Sequence, residues 1–212
     1  MKNIPVIGIL RGVEQDFFRE IMAASFENGL EAIEITMNTP GAGRIVAECR
    51  ALVPQGKLLG MGTIRSLDEA KAAVDAGAMF MVTPNLDTAV IDFAVLQKIP
   101  IVAGALTPTE VYNAWRAGAD LIKVFPCGAL GGASYIKDLL GPFDDLPLAA
   151  VGGVTFENVG DFFRAGAVSV GVSTALFGKQ ALQGKNAENI GNNVKKFIDR
   201  CLQIKDGLLS AT

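Results

Sequence analysis

The chain has 212 residues, half of them hydrophobic and 19% charged, with a net charge of −3; that is enough for one sizeable core, and no basic balance argues for nucleic acid. It contains no histidine, which removes Ser-His and Cys-His nucleophile pairs and every histidine-ligated metal site. Its cysteines, Cys49, Cys127 and Cys201, are far apart and form no CxxC, so no disulfide framework and a reducing, cytoplasmic setting are expected.

A short apolar run, Ile4 to Leu10, opens the chain. It is too short to cross a membrane, and no small-residue cleavage site follows it. It reads as a strand over 5–10, ending at Arg11 and Gly12, with a helix over 14–28. Arg11 can bind a carboxylate or phosphate, or pair with Glu34. The next strand, 31–36, carries Ala32-Ile33-Glu34-Ile35-Thr36. Side chains alternate, so Ala32, Glu34 and Thr36 share one face and the isoleucines the other. Burial would raise the Glu34 pKa and suit it to general acid/base work; the other reading is a structural salt bridge with Arg11 or Lys123. Asn38 follows, ahead of a helix over 40–53.

The strand over 58–62 closes in Gly60-Met61-Gly62-Thr63, small residues plus a hydroxyl where a substrate can approach. The helix over 66–76 begins with the capping box Ser66-Leu67-Asp68-Glu69. A strand over 79–82 leads to Thr83-Pro84-Asn85, a loop whose proline reads first as structural, and to a helix over 86–97. The strand over 100–103 is followed by Gly104 and by Thr107-Pro108-Thr109-Glu110, a second capping box with proline at the first position of a helix over 108–117. Pro84 and Thr107 lie after strands and join the candidate substrate contacts.

Asp120-Leu121-Ile122-Lys123-Val124-Phe125-Pro126 spans the strand over 120–125. A lysine in such an apolar run is either a strand-end residue with its head in water or a desolvated amine with a lowered pKa, able to form a Schiff base. Paired with Glu34 as proton carrier, Lys123 offers imine chemistry that needs no metal or other cofactor. Cys127 has no partner base and reads as a spare buried thiol. A helix over 131–140, a strand over 147–151, a helix over 156–165, a strand over 168–171 and a helix over 186–204 complete the series. Val151-Gly152-Gly153-Val154-Thr155 and Val170-Gly171-Val172-Ser173 follow the last two strands. Loops there, with a short helix after them, can hold a phosphate on backbone N–H groups, although tight turns also need glycine.

One phrase recurs four times: a helix, a glycine and an apolar strand, at Gly29, Gly77, Gly118 and Gly166. Glycine after a helix accepts the left-handed conformation that ends it. Repeated αβ units imply a parallel sheet, and eight βα units in sequence predict a (β/α)8 TIM barrel forming a single domain over 1–212. A doubly wound open sheet is the alternative. On the barrel, candidate site residues fall at the C-terminal ends of the strands.

The sequence resembles the KDPG/KHG aldolase family, class I aldolases of 2-keto-3-deoxy sugar acids. The resemblance runs from Ile4-Pro5-Val6-Ile7-Gly8-Ile9-Leu10-Arg11-Gly12 to the last helix. Its most specific pieces are Glu34-Ile35-Thr36, Gly60-Met61-Gly62-Thr63, Thr83-Pro84-Asn85, Lys123-Val124-Phe125-Pro126 and Val151-Gly152-Gly153-Val154-Thr155. It implies reversible cleavage of 2-dehydro-3-deoxy-6-phosphogluconate to pyruvate and glyceraldehyde 3-phosphate, with the galactonate epimer as the alternative. Lys123 matches the Schiff-base lysine and Glu34 the proton-transferring carboxylate. Thr63 matches a contact to the pyruvate portion, and Gly152, Gly153 and Ser173 match the phosphate site. The family also implies a homotrimer with a phosphorylated small-molecule substrate, while the net charge and the short apolar run point to neither nucleic acid nor membrane as partner.

Two departures stand out. Many members carry an arginine at the position of Asn38, where it grips the substrate carboxylate; an amide cannot give that bidentate charged contact, leaving Arg11 or backbone amides near Gly62 and Thr63 to carry more of it. Met37-Asn38-Thr39-Pro40 is close to the Leu-Asn-Ser-Pro of the galactonate branch. The residues alone also admit a sugar-phosphate isomerase or synthase without an imine, with Glu34 as base in an isomerisation, or a non-catalytic phosphosugar-binding protein.

Overall fold

In a computed structural model, which describes residues 1–210, eight parallel strands close into a barrel in sequence order. They are β1 (Val6–Leu10), β2 (Ala32–Thr36), β3 (Leu58–Gly62), β4 (Met81–Val82), β5 (Ile101–Ala105), β6 (Leu121–Val124), β7 (Leu148–Val151) and β8 (Ser169–Val172). Closure is made at β1, where Ile7 stands opposite both Ala32 of β2 and Gly171 of β8. An open sheet would leave β1 and β8 as unpaired edges. The expected domain runs to residue 212, and its last two positions lie outside the described residues.

Helices follow the strands: α1 (Gln15–Glu27), α2 (Ala42–Cys49), α3 (Leu67–Asp75), α4 (Thr88–Gln97), α5 (Pro108–Arg116), α6 (Ala133–Leu140) and α7 (Val159–Arg164). After β8 come α8 (Thr174–Phe177), α9 (Lys179–Gln183) and α10 (Ala187–Leu209). Gly29, Gly77, Gly118 and Gly166 all have φ between 87° and 102°, the conformation that ends a helix and turns the chain into the next strand. Both predicted capping sequences lie at helix starts, but only the second forms the reciprocal box, since the Glu69 carboxylate accepts from the Arg65 N–H rather than that of Ser66. Ser66 Oγ accepts from the Glu69 N–H at 3.3 Å, and Thr107 and Glu110 cap α5 reciprocally.

Several boundaries differ from the sequence reading. The expected helix over 40–53 gives way to a 3-10 turn at Arg50–Leu52, and a second such turn, Cys127–Leu130, precedes α6. The expected helix over 156–165 starts later because Asn158 holds the chain in a turn: Oδ1 accepts from the Thr155 N–H at 2.7 Å, and Nδ2 donates to the Gly153 carbonyl at 2.8 Å. The short helices α8 and α9 have no range assigned from the sequence, although a short helix after the last strands belongs to the phosphate-site expectation. No described helix is long and apolar enough to cross a membrane.

Alternation along each strand divides the core. Outward residues such as Ile33, Ile35, Leu59, Met61, Ile122 and Val124 pack against the helices. Inward residues, among them Ile7, Phe80, Val102 and Leu121, fill the barrel interior. The Phe80 ring occupies the space beside Gly60, where a Cβ would sit 2.5 Å from it. The N-terminal half of the barrel is therefore solid, and the polar inward residues Glu34 and Lys123 lie above it.

Candidate active site

At the C-terminal end of the strands a cavity of about 630 Å³ opens. It brings together Arg11, Glu34, Thr63, Pro84, Lys123, Gly152, Gly153, Gly171 and Ser173 from strands and loops spread over 163 positions of sequence (11 to 173). The other two candidates lie elsewhere. Asn38 is exposed in the turn after β2, and Thr107 is exposed as the N-cap of α5; neither lines the cavity.

Lys123 reaches the cavity from within β6 and is only 6% exposed. Its Nζ lies 4.9 Å from the centre of the Phe125 ring. Burial pushes its pKa down; the Glu34 carboxylate pulls it back up, and Arg11 lowers it further. Glu34, on β2, is 1% exposed. Burial raises its pKa to about 7 against the opposing pull of Lys123 and Arg11. Its Oε2 has no hydrogen-bond partner among the described residues. No salt bridge joins Glu34 to Lys123 or Arg11 among the described residues. The structural ion pair is thus absent; burial raises the Glu34 pKa to about 7 and lowers that of Lys123, shifts in the directions that suit proton transfer and nucleophilic attack.

Gly62 makes room for this arrangement, since a Cβ there would overlap the Glu34 carboxylate. The next residue, Thr63, is a non-glycine residue at φ 58°, a strained conformation of the kind found at ligand clamps. Its Oγ1 accepts from Arg11 Nη2 at 3.4 Å. Pro84 is set in the wall by its neighbour: Thr83 Oγ1 accepts from the Gly104 N–H at 2.8 Å and donates to the Asn85 carbonyl at 2.8 Å.

Opposite, Gly152 and Gly153 have φ of 90° and 81°. The Gly128 N–H donates to the Gly152 carbonyl at 2.9 Å, and a Cβ on Gly153 would come within 2.9 Å of Gly128 Cα. The loops after β6 and β7 therefore meet backbone to backbone, which only glycine permits. Ser173 and Thr174 add hydroxyls beside them. Cys127 is buried, with its thiol pushed up to about 11 by burial and its Sγ donating to the Gly132 carbonyl at 3.3 Å, an environment that disfavours the nucleophilic thiolate.

Phe125, Thr174 and Arg65 also line the cavity and were not singled out from the sequence. Phe125 lies two residues past Lys123, hence on the same face, a signal the alternation carries. Arg65 sits in a loop, where no periodicity reports direction.

Residues 1–193 match the family model for KDPG and KHG aldolase. The chain is 36% identical over 175 residues to the probable 2-dehydro-3-deoxy-6-phosphogalactonate aldolase of Rhizobium meliloti (strain 1021), covering 82% of each. It is 29% identical over 199 residues to the 2-dehydro-3-deoxy-phosphogluconate aldolase of Haemophilus influenzae, covering 94% of this chain and 92% of that one. The solved structure of native KDPGal superposes with a TM-score of 0.88 at 30% identity, covering 95% of this chain and 96% of that one.

Proposed function

The chain belongs to the KDPG and KHG aldolase family, whose members are lyases, and from that premise we propose a class I aldolase. It cleaves a 2-dehydro-3-deoxy-6-phospho sugar acid to pyruvate and glyceraldehyde 3-phosphate through an imine on Lys123. The observation that carries this reading is one cavity holding a buried lysine of lowered pKa and a buried carboxyl poised near neutrality, with no salt bridge between them.

The neutral Lys123 amine attacks C2 of the keto acid, and protonated Glu34 gives its proton to the carbinolamine hydroxyl, which leaves as water and forms the protonated imine. Glu34, as carboxylate, takes the C4 hydroxyl proton directly or through a water. The C3–C4 bond breaks, its electron pair passes into the imine as an enamine, and the aldehyde leaves. Protonated Glu34 returns the proton to C3, and water hydrolyses the pyruvate imine to free the lysine. The Gly152-Gly153 turn, Gly171 and Ser173 are the phosphate end of the site, with Thr63 and Arg11 at the pyruvate end.

The gluconate acid is the first reading of the substrate. A second, the galactonate epimer, is favoured by Met37-Asn38-Thr39-Pro40 and by the Rhizobium meliloti relative. Both give the same products, so kcat/KM measured side by side on the two acids decides between them. A cytoplasmic homotrimer belongs to the same proposal, and light scattering should return three chains of 22.3 kDa.

The test is borohydride reduction in the presence of pyruvate, followed by peptide mass spectrometry. A pyruvate-derived adduct on Lys123 is expected, and Lys123→Ala should abolish both adduct and cleavage. Substantial turnover by the folded alanine variant would sink the imine mechanism.

A further inference from the structure

Two arginines flank Thr63 at the cavity wall. Arg11 contacts its hydroxyl, and Arg65 lies two residues beyond it. Arg65 is anchored to Glu69 in the first turn of α3. Its backbone N–H donates to Glu69 Oε2 at 2.6 Å, Nε donates to Oε1 at 3.2 Å, and Nη2 also donates to Oε1. One edge of the guanidinium is therefore held. Nη1 donates to no atom among the described residues. A guanidinium gripped along one edge keeps its remaining donors for a second anion, in a fixed orientation.

This inference rests on the imine reading of the site. Once the imine forms, C2 is trigonal, and the lysine nitrogen, the C1 carboxylate and the C3 chain diverge in one plane. With phosphate at the glycine turn after β7, the C3 chain runs toward β7 and β8. The carboxylate then runs the other way. In a closed ring of eight strands β3 stands opposite β7, so that direction leads to Thr63 and Arg65. Asn38, exposed outside the cavity lining, supplies no charged grip there.

We propose that Arg65 is a specificity-determining residue whose free guanidinium donors, together with Arg11 across Thr63, hold the C1 carboxylate and select 2-keto acids over neutral ketones. Its side chain is 58% exposed, so substitution there leaves the core intact. Arg65→Ala and Arg65→Gln are compared with wild type by borohydride trapping over a range of pyruvate and of hydroxyacetone concentrations. Half-saturation by pyruvate should rise about 10-fold, the scale of one lost hydrogen bond to a charged group. Half-saturation by hydroxyacetone, and inhibition by inorganic phosphate, should stay unchanged. A wild-type adduct with unchanged pyruvate affinity in both variants, or an equal loss for both ketones, would overturn the role of Arg65 alone. No adduct in the wild-type chain would overturn the imine reading and this inference with it.

Discussion

Glu34 owes its acid–base behaviour to burial more than to its charged neighbours. A folded pKa of about 7 predicts that kcat/KM changes through an ionisation near that pH, and that Glu34→Gln removes this limb while slowing turnover roughly 10²–10⁴-fold. A pH–rate profile of the variant checks both. Stability moves in the opposite sense to the usual carboxylate. The folded pKa lies above the ordinary value of 4.5, so the fold binds this proton more tightly than the unfolded chain does. Its contribution is full below about pH 4.5 and is lost as pH rises toward 7, by at most about 3 kcal/mol. Urea unfolding across that window should show the decline in wild type and a flatter profile in Glu34→Gln. The two charged groups were legible in sequence because each interrupts an apolar strand. The space that the Glu34 carboxylate occupies was not, since it depends on Gly62 of a neighbouring strand.

Among the elements, helix starts and stops were the most legible, because capping is written in residues three or four apart. Thr107 illustrates the limit. Sequence position after β5 made it a candidate substrate contact, and the structure uses it as the N-cap of α5, outside the cavity. Thr107→Ala should therefore cost about 1 kcal/mol of stability through the lost cap. Denaturant unfolding measured beside KM distinguishes the roles, since a raised KM at unchanged stability would return Thr107 to the substrate. Helices α8 and α9 span four and five residues, too short for an apolar period to register. Yet α8 begins at Thr174, one of the hydroxyls of the cavity. Turns such as Thr155–Asn158 were lost for a related reason: side-chain hydrogen bonds there outcompete the helix that composition alone would start.

For the whole molecule, barrel closure is what turns scattered strand ends into one site. The interior below that site has to be filled, and Phe80 beside Gly60 does much of the filling. Phe80→Ala should destabilise the fold by about 3–5 kcal/mol, the range for deleting a buried aromatic whose surroundings cannot collapse. Urea unfolding measures it; a loss below 1 kcal/mol would mean that the barrel repacks around the gap.

The sequence by itself determined the βα alternation, the strand faces and the two unusual charges, since these depend on spacing along a single strand or helix and on residues that resist burial. The tertiary structure alone decided which loop residues face the cavity. It admitted Arg65 and Thr174, left Asn38 and Thr107 outside, and placed Glu34 and Lys123 in one cavity with no salt bridge between them among the described residues. Those outcomes depend on the direction of a loop or the separation across a closed barrel, and no local periodicity encodes a distance between strands four places apart in the ring.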